Sequence, residues 1–311
     1  MRCKSTIWTC RSHPSASGKH CSSSQKENRM YPSSFEYYRA ESVREAAKLL
    51  KQHPGAKLLA GGHSIIPLLK LRQTEVSALI DIGRIADLRA ITGGMIGACC
   101  TYAQVAAASG LPAALTESAS HVGDPAVRAR GTIGGGVAHA DPASDLPTVL
   151  LALNAKFHIS KGRATRVVLA NKFFIGLYET ALKEDELLVG IEVEAEARGT
   201  GSAYAKLENP ASRYAMVGAA ASVTIVNGVC TAASVAVGGL TTHAWRSKRV
   251  PSALLETALD AEAISKAAKK VMKELPDDLL GDMHASADYR RAMSQVFVER
   301  ALTAAAARAK K

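Results

Sequence analysis

Two glycine-rich segments about seventy residues apart constrain this chain more than any other feature. The first is Ala60-Gly61-Gly62-His63-Ser64, and the second is Gly131-Thr132-Ile133-Gly134-Gly135-Gly136. Glycine reaches positive φ and lets backbone N–H groups converge on an anion without obstruction by a side chain. We therefore interpret both segments as turns that hold a phosphate-bearing dinucleotide from two sides.

The sequence around the first segment favours this interpretation. Residues 57–60 predict a short strand, and residues 65–71 predict a short helix with Ser64 as its N-cap. Pro67 fits the first turn of that helix, where its missing N–H is not needed. A strand, a glycine turn and a helix N-terminus place free N–H groups and positive dipole at one point, which predicts a diphosphate site.

The usual nucleotide motifs do not fit. The Walker loop requires Gly-Lys-Ser or Gly-Lys-Thr, and neither occurs in the chain. The Rossmann fingerprint requires G-x-G-x-x-G at the start of a long helix, and Gly61-Gly62-His63 does not have that spacing. The pattern therefore indicates a dinucleotide held by two separated segments.

Several motifs in their order resemble the FAD-binding medium subunit of the molybdenum hydroxylases, the family of the carbon monoxide dehydrogenase medium chain and the xanthine dehydrogenase flavin domain. They are the segment at 31–37, the first glycine segment with Ile65-Ile66-Pro67, the second glycine segment, and Ala140-Asp141-Pro142-Ala143-Ser144-Asp145. The resemblance runs from about residue 30 to about residue 302. It implies an α+β fold in which a two-subdomain PCMH-type FAD-binding domain precedes a C-terminal domain of antiparallel sheet and helices.

The resemblance also implies a noncovalent FAD site without a catalytic residue. Backbone groups would contact the diphosphate and the ribityl chain at Ala60, Gly61, Gly62, His63, Ser64, Ile65, Thr132, Ile133, Gly134, Gly135 and Gly136. Asp145 matches a family carboxylate that hydrogen-bonds the cofactor. Leu188 matches a strand position beside the flavin, and Lys206 matches a lysine near the ring system. Tyr204 would shield one flavin face. Gly136 departs from the family, because many members carry asparagine or aspartate there.

Each of these side chains has a plainer interpretation. Asp145 followed by Pro147 is typical of a helix N-cap. Lys206 on an alternating segment is typical of an exposed strand lysine, and Tyr204 of a half-buried strand aromatic. His63 is assigned no acid–base role, because a histidine in a turn is ordinarily solvated or hydrogen-bonded locally.

The N-terminal residues differ from the rest in composition. The 311-residue chain has a net charge of +11. Residues 1–29 contain six Lys or Arg and one Glu, so they contribute +5, and the remainder carries +6. This stretch has no apolar periodicity and no signal-peptide core, so we expect disorder, or a spurious extension before a true start at Met30. A nucleic-acid-binding tail is the disfavoured alternative, because Trp8 is the one aromatic residue among the basic ones.

Six cysteines and nine histidines do not form a metal-site pattern. No C-x-x-C occurs, and a cluster or structural zinc site needs four grouped ligands. A zinc set of Cys10, His13, His20 and Cys21 has no helical or hairpin frame, so we predict no metal on this chain. The scattered cysteines of the body suit a reducing cytoplasm, and no apolar run of eighteen residues predicts a membrane span.

The chain divides into three predicted units. Residues 30–85 form a β-α-β subdomain and residues 86–185 a second subdomain, which together make the FAD-binding domain, and residues 186–311 form the C-terminal domain. In the last unit Asn227-Gly228 between two apolar runs predicts a hairpin with a type I′ turn. Residues 261–275 and 286–307 are predicted to be helical.

No nucleophile–base constellation is evident, so the sequence favours an electron-transfer subunit over a complete oxidase. The resemblance implies partners: a large molybdenum-binding subunit and a small [2Fe–2S] subunit, assembled as a dimer of heterotrimers. FAD would receive electrons from the partner's cluster and pass them to an external acceptor. Two alternatives remain at this point: a self-sufficient FAD-dependent oxidoreductase of the same fold, and a flavin-free scaffold. The substrate and the electron acceptor are not determined by this sequence.

Overall fold

A computed structural model describes residues 31–310 as helices, strands and connecting loops. The expectations for residues 1–29 and for Met30 lie outside the described residues. The strands are β1 Glu36–Arg39, β2 Lys57–Leu59, β3 Ala78–Asp81, β4 Ile91–Thr92, β5 Met95–Gly97, β6 Lys156–Lys161, β7 Ala164–Leu169, β8 Phe174–Gly176, β9 Glu179–Thr180, β10 Leu187–Glu192, β11 Thr200–Glu208, β12 Ala215–Val226, β13 Val229–Gly238 and β14 Trp245–Arg246. The α-helices are α1 Val43–Gln52, α2 Ile65–Lys70, α3 Tyr102–Ala107, α4 Ala113–His121, α5 Pro125–Arg130, α6 Ile133–His139, α7 Asp145–Ala152, α8 Arg249–Leu254, α9 Ala261–Ala268 and α10 Ala287–Ala309. This mixture of helices and mainly antiparallel sheets confirms the predicted α+β class.

The first unit is a parallel three-stranded sheet in the order β1-β3-β2 with helices α1 and α2. Helix α1 begins where predicted, because the Ser42 side chain accepts a hydrogen bond from the Glu45 N–H at 3.2 Å. Helix α2 also begins after Ser64 as predicted, but the Ser64 side chain makes no capping hydrogen bond. The N-terminus of α2 therefore keeps backbone donors that a side chain does not satisfy.

The second unit contains a five-stranded antiparallel sheet in the order β4-β5-β10-β6-β7. Strand β10 lies at its centre, between β5 and β6, although it follows them in the chain. The predicted boundary between the FAD-binding domain and the C-terminal domain, at 185/186, is therefore corrected, because it would separate β10 from the strands with which it pairs. The hydrogen bonds of β10 extend the second unit through Glu192. An apolar run in the sequence shows that a strand exists but not which strands it will join.

The second glycine segment is a helix and not a turn. Residues Ile133–His139 form α6, and none of Gly134, Gly135 and Gly136 has a positive φ. A Cβ at Gly134 would lie 2.5 Å from the Cβ of Ala98, just after β5. These glycines allow the backbone of α6 to pack closely against its neighbours. The sequence had suggested a different role for them, namely a turn with positive φ. Within the first segment, Gly62 is the residue with a positive φ, at 77°.

The third unit is an antiparallel sheet in the order β11-β12-β13-β14, packed against α10. Its predicted hairpin is confirmed, since Asn227 and Gly228 join β12 to β13 with φ values of 52° and 82°. Helix α9 is shorter than predicted, because a 3-10 turn, Lys269–Lys273, replaces its last part. Between residues 31 and 310, no helix combines the length and apolar character that crossing a bilayer requires.

Candidate cofactor site

A cleft of about 360 Å³ lies where the first glycine segment meets the start of the second. Ala60, Gly61 and Gly62 line one part of it, and Thr132 lines another. The two segments touch directly, because a Cβ at Gly61 would lie only 2.2 Å from the carbonyl oxygen of Arg130. The structure thus brings together, at one cleft, residues that the sequence separates by about seventy positions.

The backbone N–H groups differ between the two segments. Those of Gly61, Gly62, His63 and Ser64 donate no hydrogen bond to any residue between 31 and 310. Most of those in the second segment are already used. Ile133 N–H donates to Cys100 O at 2.9 Å, Gly134 N–H donates to Ala98 O at 2.9 Å, and Gly136 N–H donates to Thr132 O at 3.0 Å. The first segment therefore presents the donors for an anion, while the second supplies a closely packed wall.

Three arginines line the same cleft: Arg84, Arg89 and Arg130. The one carboxylate in the lining, Asp81, accepts hydrogen bonds from the Tyr37 hydroxyl at 2.6 Å and the Gly83 N–H at 2.8 Å. Unsatisfied amides, three guanidinium groups and a glycine wall that a Cβ would fill fit the doubly charged diphosphate of FAD. Sequence reasoning missed the arginines, and the local signal was confined to Arg130, which directly precedes the second glycine segment.

Asp145 lies in a second, buried cluster that joins α7 to β11. Its carboxylate accepts a hydrogen bond from the Tyr204 hydroxyl at 2.7 Å and pairs with Lys206 Nζ at 3.0 Å. Burial raises the pKa of Asp145, while the Lys206 ammonium and the Tyr204 hydroxyl oppose that shift. Ser144, and not Asp145, is the N-cap of α7. Lys206 is also not the exposed strand lysine that its pattern favours, because its side chain is only 2% exposed.

The predicted site residues do not all meet at the cleft. Leu188 is buried in β10 opposite Ile159, within the core of the second unit. Tyr204 is 8% exposed, with its hydroxyl held by Asp145. Asp145, Leu188 and Lys206 do not line the cleft, and neither do His63, Ser64, Ile65 and the glycines of α6. Their contact with FAD stays a prediction.

Cys99 is the one thiol in the cleft lining. Burial raises the pKa of Cys99 to about 12, and its sulfur lies 3.6 Å from the Ile82 carbonyl oxygen, to which it donates. A thiol held protonated in this way is a packing group at neutral pH and not a nucleophile. Residues 31–310 also bring no three His, Cys, Asp or Glu side chains together as a metal site.

Comparison with known protein families agrees with this geometry. The family described as FAD binding domain in molybdopterin dehydrogenase matches residues 33–194, and the CO dehydrogenase flavoprotein C-terminal domain matches residues 202–305. The first match ends after β10, as the sheet does. The chain belongs to the family of FAD-binding medium subunits of molybdenum hydroxylases, and it is a subunit of an oxidoreductase. In this family the molybdenum and iron–sulfur cofactors reside on other subunits.

Two of the relatives share almost their full length with this chain. The carbon monoxide dehydrogenase medium chain of Hydrogenophaga pseudoflava is 39% identical over 289 residues, which cover 90% of this chain and 99% of the relative. The glyceraldehyde dehydrogenase medium chain of Sulfolobus acidocaldarius is 33% identical over 280 residues, which cover 88% and 98%. A solved structure of the Hydrogenophaga pseudoflava enzyme, lacking the Mo-pyranopterin moiety of its cofactor, matches with a TM-score of 0.84 at 38% identity, covering 89% of this chain and 99% of the matched chain.

Proposed function

We propose that this chain binds FAD noncovalently and carries electrons from the [2Fe–2S] cluster of a partner subunit to an external acceptor. The single observation behind the proposal is the cleft, which combines the unused amides of Gly61 and Gly62 with three arginines. When bound, FAD supplies the redox chemistry, and the protein's task is to hold, orient and shield it. The substrate of the whole enzyme would be oxidised on another subunit.

Different residues of the chain would hold FAD and keep the units around it in place. The amides of the first segment and the guanidinium groups of the cleft would hold the diphosphate. The contact of Gly61 with Arg130 fixes the distance between the two walls. The Asp145–Lys206 ion pair joins α7 of the second unit to β11 of the third, so it keeps these units closed on each other.

The proposed partners are a large molybdenum-binding subunit and a small [2Fe–2S] subunit in a dimer of heterotrimers. Two supports are the medium-chain relatives and an exposed apolar surface of the second unit. Five apolar side chains on or beside β7 and β8 are each about half exposed: Val167, Leu169, Ile175, Leu177 and Tyr178. Exposed apolar surface of this kind is typical of a protein–protein contact. We also propose a cytoplasmic location, which the three free buried cysteines of residues 31–310 support.

Purification of the tagged chain from its native cell tests the proposal. We expect two co-purifying chains, a flavin absorption band, and molybdenum and iron in the complex. A lone chain that oxidises a substrate by itself would instead establish a self-sufficient oxidoreductase. A complex without flavin, even after FAD is added, would establish a scaffold subunit. Either of these results would overturn the proposed function.

The arginines of the cleft give a quantitative prediction. Arg84→Gln and Arg130→Gln should each weaken FAD binding roughly 10-fold, because each removes a charge-assisted contact of about 1.5 kcal/mol or more. Fluorescence titration of the flavin-free chain measures the dissociation constant at two salt concentrations. The wild-type constant should rise more steeply with salt than that of either variant. Arg163→Gln, at an exposed arginine outside the cleft, is the control, and an equal effect there would contradict the assignment.

A further inference from the structure

A second cavity, of about 370 Å³, lies on the third unit and shares no lining residue with the cleft described above. Five residues line it: Lys248, Arg249, Ser252, Lys270 and Lys273. Four of the five are cations, and no apolar residue is among them. A concave surface with this lining can recognise charge, but it offers little to the apolar body of a ligand.

Helix α8 supplies one side of this basic cavity. Val250 and Leu254 lie on the face of α8 that packs into the apolar core of the third unit, and both are fully buried. Arg249 and Ser252, three residues apart, are exposed. The Ser252 hydroxyl already donates to the Lys248 carbonyl oxygen at 2.8 Å, so the side-chain donors left for a ligand are those of the cations.

The 3-10 turn Lys269–Lys273 supplies the other side of the basic cavity. Its Val271 is buried in the same apolar core, which fixes the turn against the third unit. In a 3-10 helix, side chains three residues apart lie one above the other. Lys270 and Lys273 therefore project together, and both are exposed. Two elements fixed to one core thus hold their cations around a single cavity.

The four cations of the basic cavity have no anionic partner among residues 31–310, and their side chains make no hydrogen bond there. Glu274, which follows Lys273, is the neighbouring carboxylate. It accepts hydrogen bonds from the N–H groups of Lys248 and Arg249, each at 2.9 Å, and from the Ser247 hydroxyl. It is thereby committed to the start of α8. Like charges held together without counter-ions repel, so a bound anion would stabilise this arrangement.

We propose that the basic cavity binds a phosphate or diphosphate group, free or carried by a small molecule. A phosphate group carries about two negative charges at neutral pH and offers oxygens in several directions, which suits cations that converge from two elements. Arg249 can engage two of these oxygens at once, while the lysines act as point charges. A volume of about 370 Å³ is at the small end for ligand pockets. The inference goes beyond the proposed function, because this cavity lies outside the FAD cleft.

Calorimetric titration with pyrophosphate tests the site on the full chain saturated with FAD, so that the flavin keeps the probe out of the cleft. We expect saturable binding, with a dissociation constant that rises with salt concentration. Lys270→Gln combined with Lys273→Gln should raise that constant roughly 10-fold or more, because it removes two charged contacts. The matched control is Lys48→Gln combined with Lys51→Gln, which removes the same charge at the same spacing from exposed lysines of α1. It should leave the constant within about twofold, because solvent ions screen distant charges.

The melting temperature gives a second readout for the same variants. Without a ligand, the variant with Lys270→Gln and Lys273→Gln should melt no lower than the wild type, because these lysines have no partner to lose and the repulsion among the cations falls. Pyrophosphate should raise the melting temperature of the wild type by mass action and that of the variant much less. FAD retention should be the same in both proteins. Together these measurements separate a lost site from a damaged fold.

Adenosine diphosphate, titrated beside pyrophosphate, distinguishes the source of the phosphate group. Tighter binding of adenosine diphosphate would indicate a phosphate carried by a larger molecule, and tighter binding of pyrophosphate would indicate the free anion. Either result supports the inference, provided that it depends on Lys270 and Lys273.

Three results would overturn the inference. One is the lack of saturable pyrophosphate binding by the wild type up to about 10 mM. Another is an equal loss of affinity in the α1 control, which would show attraction by net charge alone. The third is an oligoglutamate peptide that binds more tightly than pyrophosphate with the same dependence on Lys270 and Lys273, which would make the cavity a docking site for an acidic protein segment. Each of these leaves the proposed function standing, because FAD retention is measured separately.

Discussion

Gly61→Val should abolish FAD retention while leaving the third unit folded. The added Cβ would lie 2.2 Å from the Arg130 carbonyl oxygen and 2.9 Å from the Gly131 Cα, both of them backbone atoms that cannot rotate away. The two walls of the cleft must then separate, so the amides of the first segment no longer lie opposite Thr132. We expect a dissociation constant raised at least 100-fold, about 2.7 kcal/mol of binding free energy or more. Flavin absorbance per protein after gel filtration measures the loss.

The matched control for Gly61→Val is a glycine with space beside it. Gly176 also has no positive φ, and an added Cβ there meets first the flexible end of Glu179, at 3.2 Å. Gly176→Val should therefore retain FAD as the wild type does. Circular dichroism and the melting temperature of both variants separate a local loss of binding from unfolding. Stoichiometric FAD in Gly61→Val would contradict the assignment of the cleft.

Local signals predicted much of the fold. Ser42 as an N-cap, the hairpin at Asn227-Gly228 and the strand before Gly61 were confirmed, because each depends on residues close in sequence. The glycine motifs also identified the two segments that meet at the cleft. The resemblance of these motifs to one family predicted the fold class, because the order of motifs carries information about long-range contacts that periodicity does not.

The sequence could not supply features that depend on distant partners. Glycine in a positive-φ turn and glycine in a closely packed helix look alike in sequence, so α6 was mistaken for a turn. Strand β10 was assigned to the wrong unit because strand pairing is not a local property. Arg84 and Arg89 were missed because they are distant in sequence from both glycine segments. The burial of Lys206 was missed because an exposed and a buried cation have the same local pattern.

Lys206→Met should destabilise the protein by about 3–5 kcal/mol, because it leaves the Asp145 carboxylate buried without its partner. The two side chains are 2% and 5% exposed, and Nζ also donates to the carbonyl oxygens of His121 and Arg213 at 2.8 and 2.7 Å. One substitution therefore removes the charge partner of Asp145 and exposes two further acceptors to an apolar neighbour. Urea denaturation followed by circular dichroism measures the change in the free energy of unfolding.

Two variants isolate the effect of the unpaired charge. Asp145→Asn combined with Lys206→Met should be more stable than Lys206→Met alone, because the buried charge is gone and an amide oxygen can still accept from Tyr204. Lys161→Met breaks the Lys161–Asp185 pair, whose atoms are 2.6 Å apart but whose lysine side chain is 55% exposed. It should leave the free energy of unfolding nearly unchanged, because solvent screens an exposed ion pair. If Lys206→Met were as mild as Lys161→Met, the ion pair would not hold α7 to β11, and closure of the third unit over the second would have to depend on the apolar contacts between them.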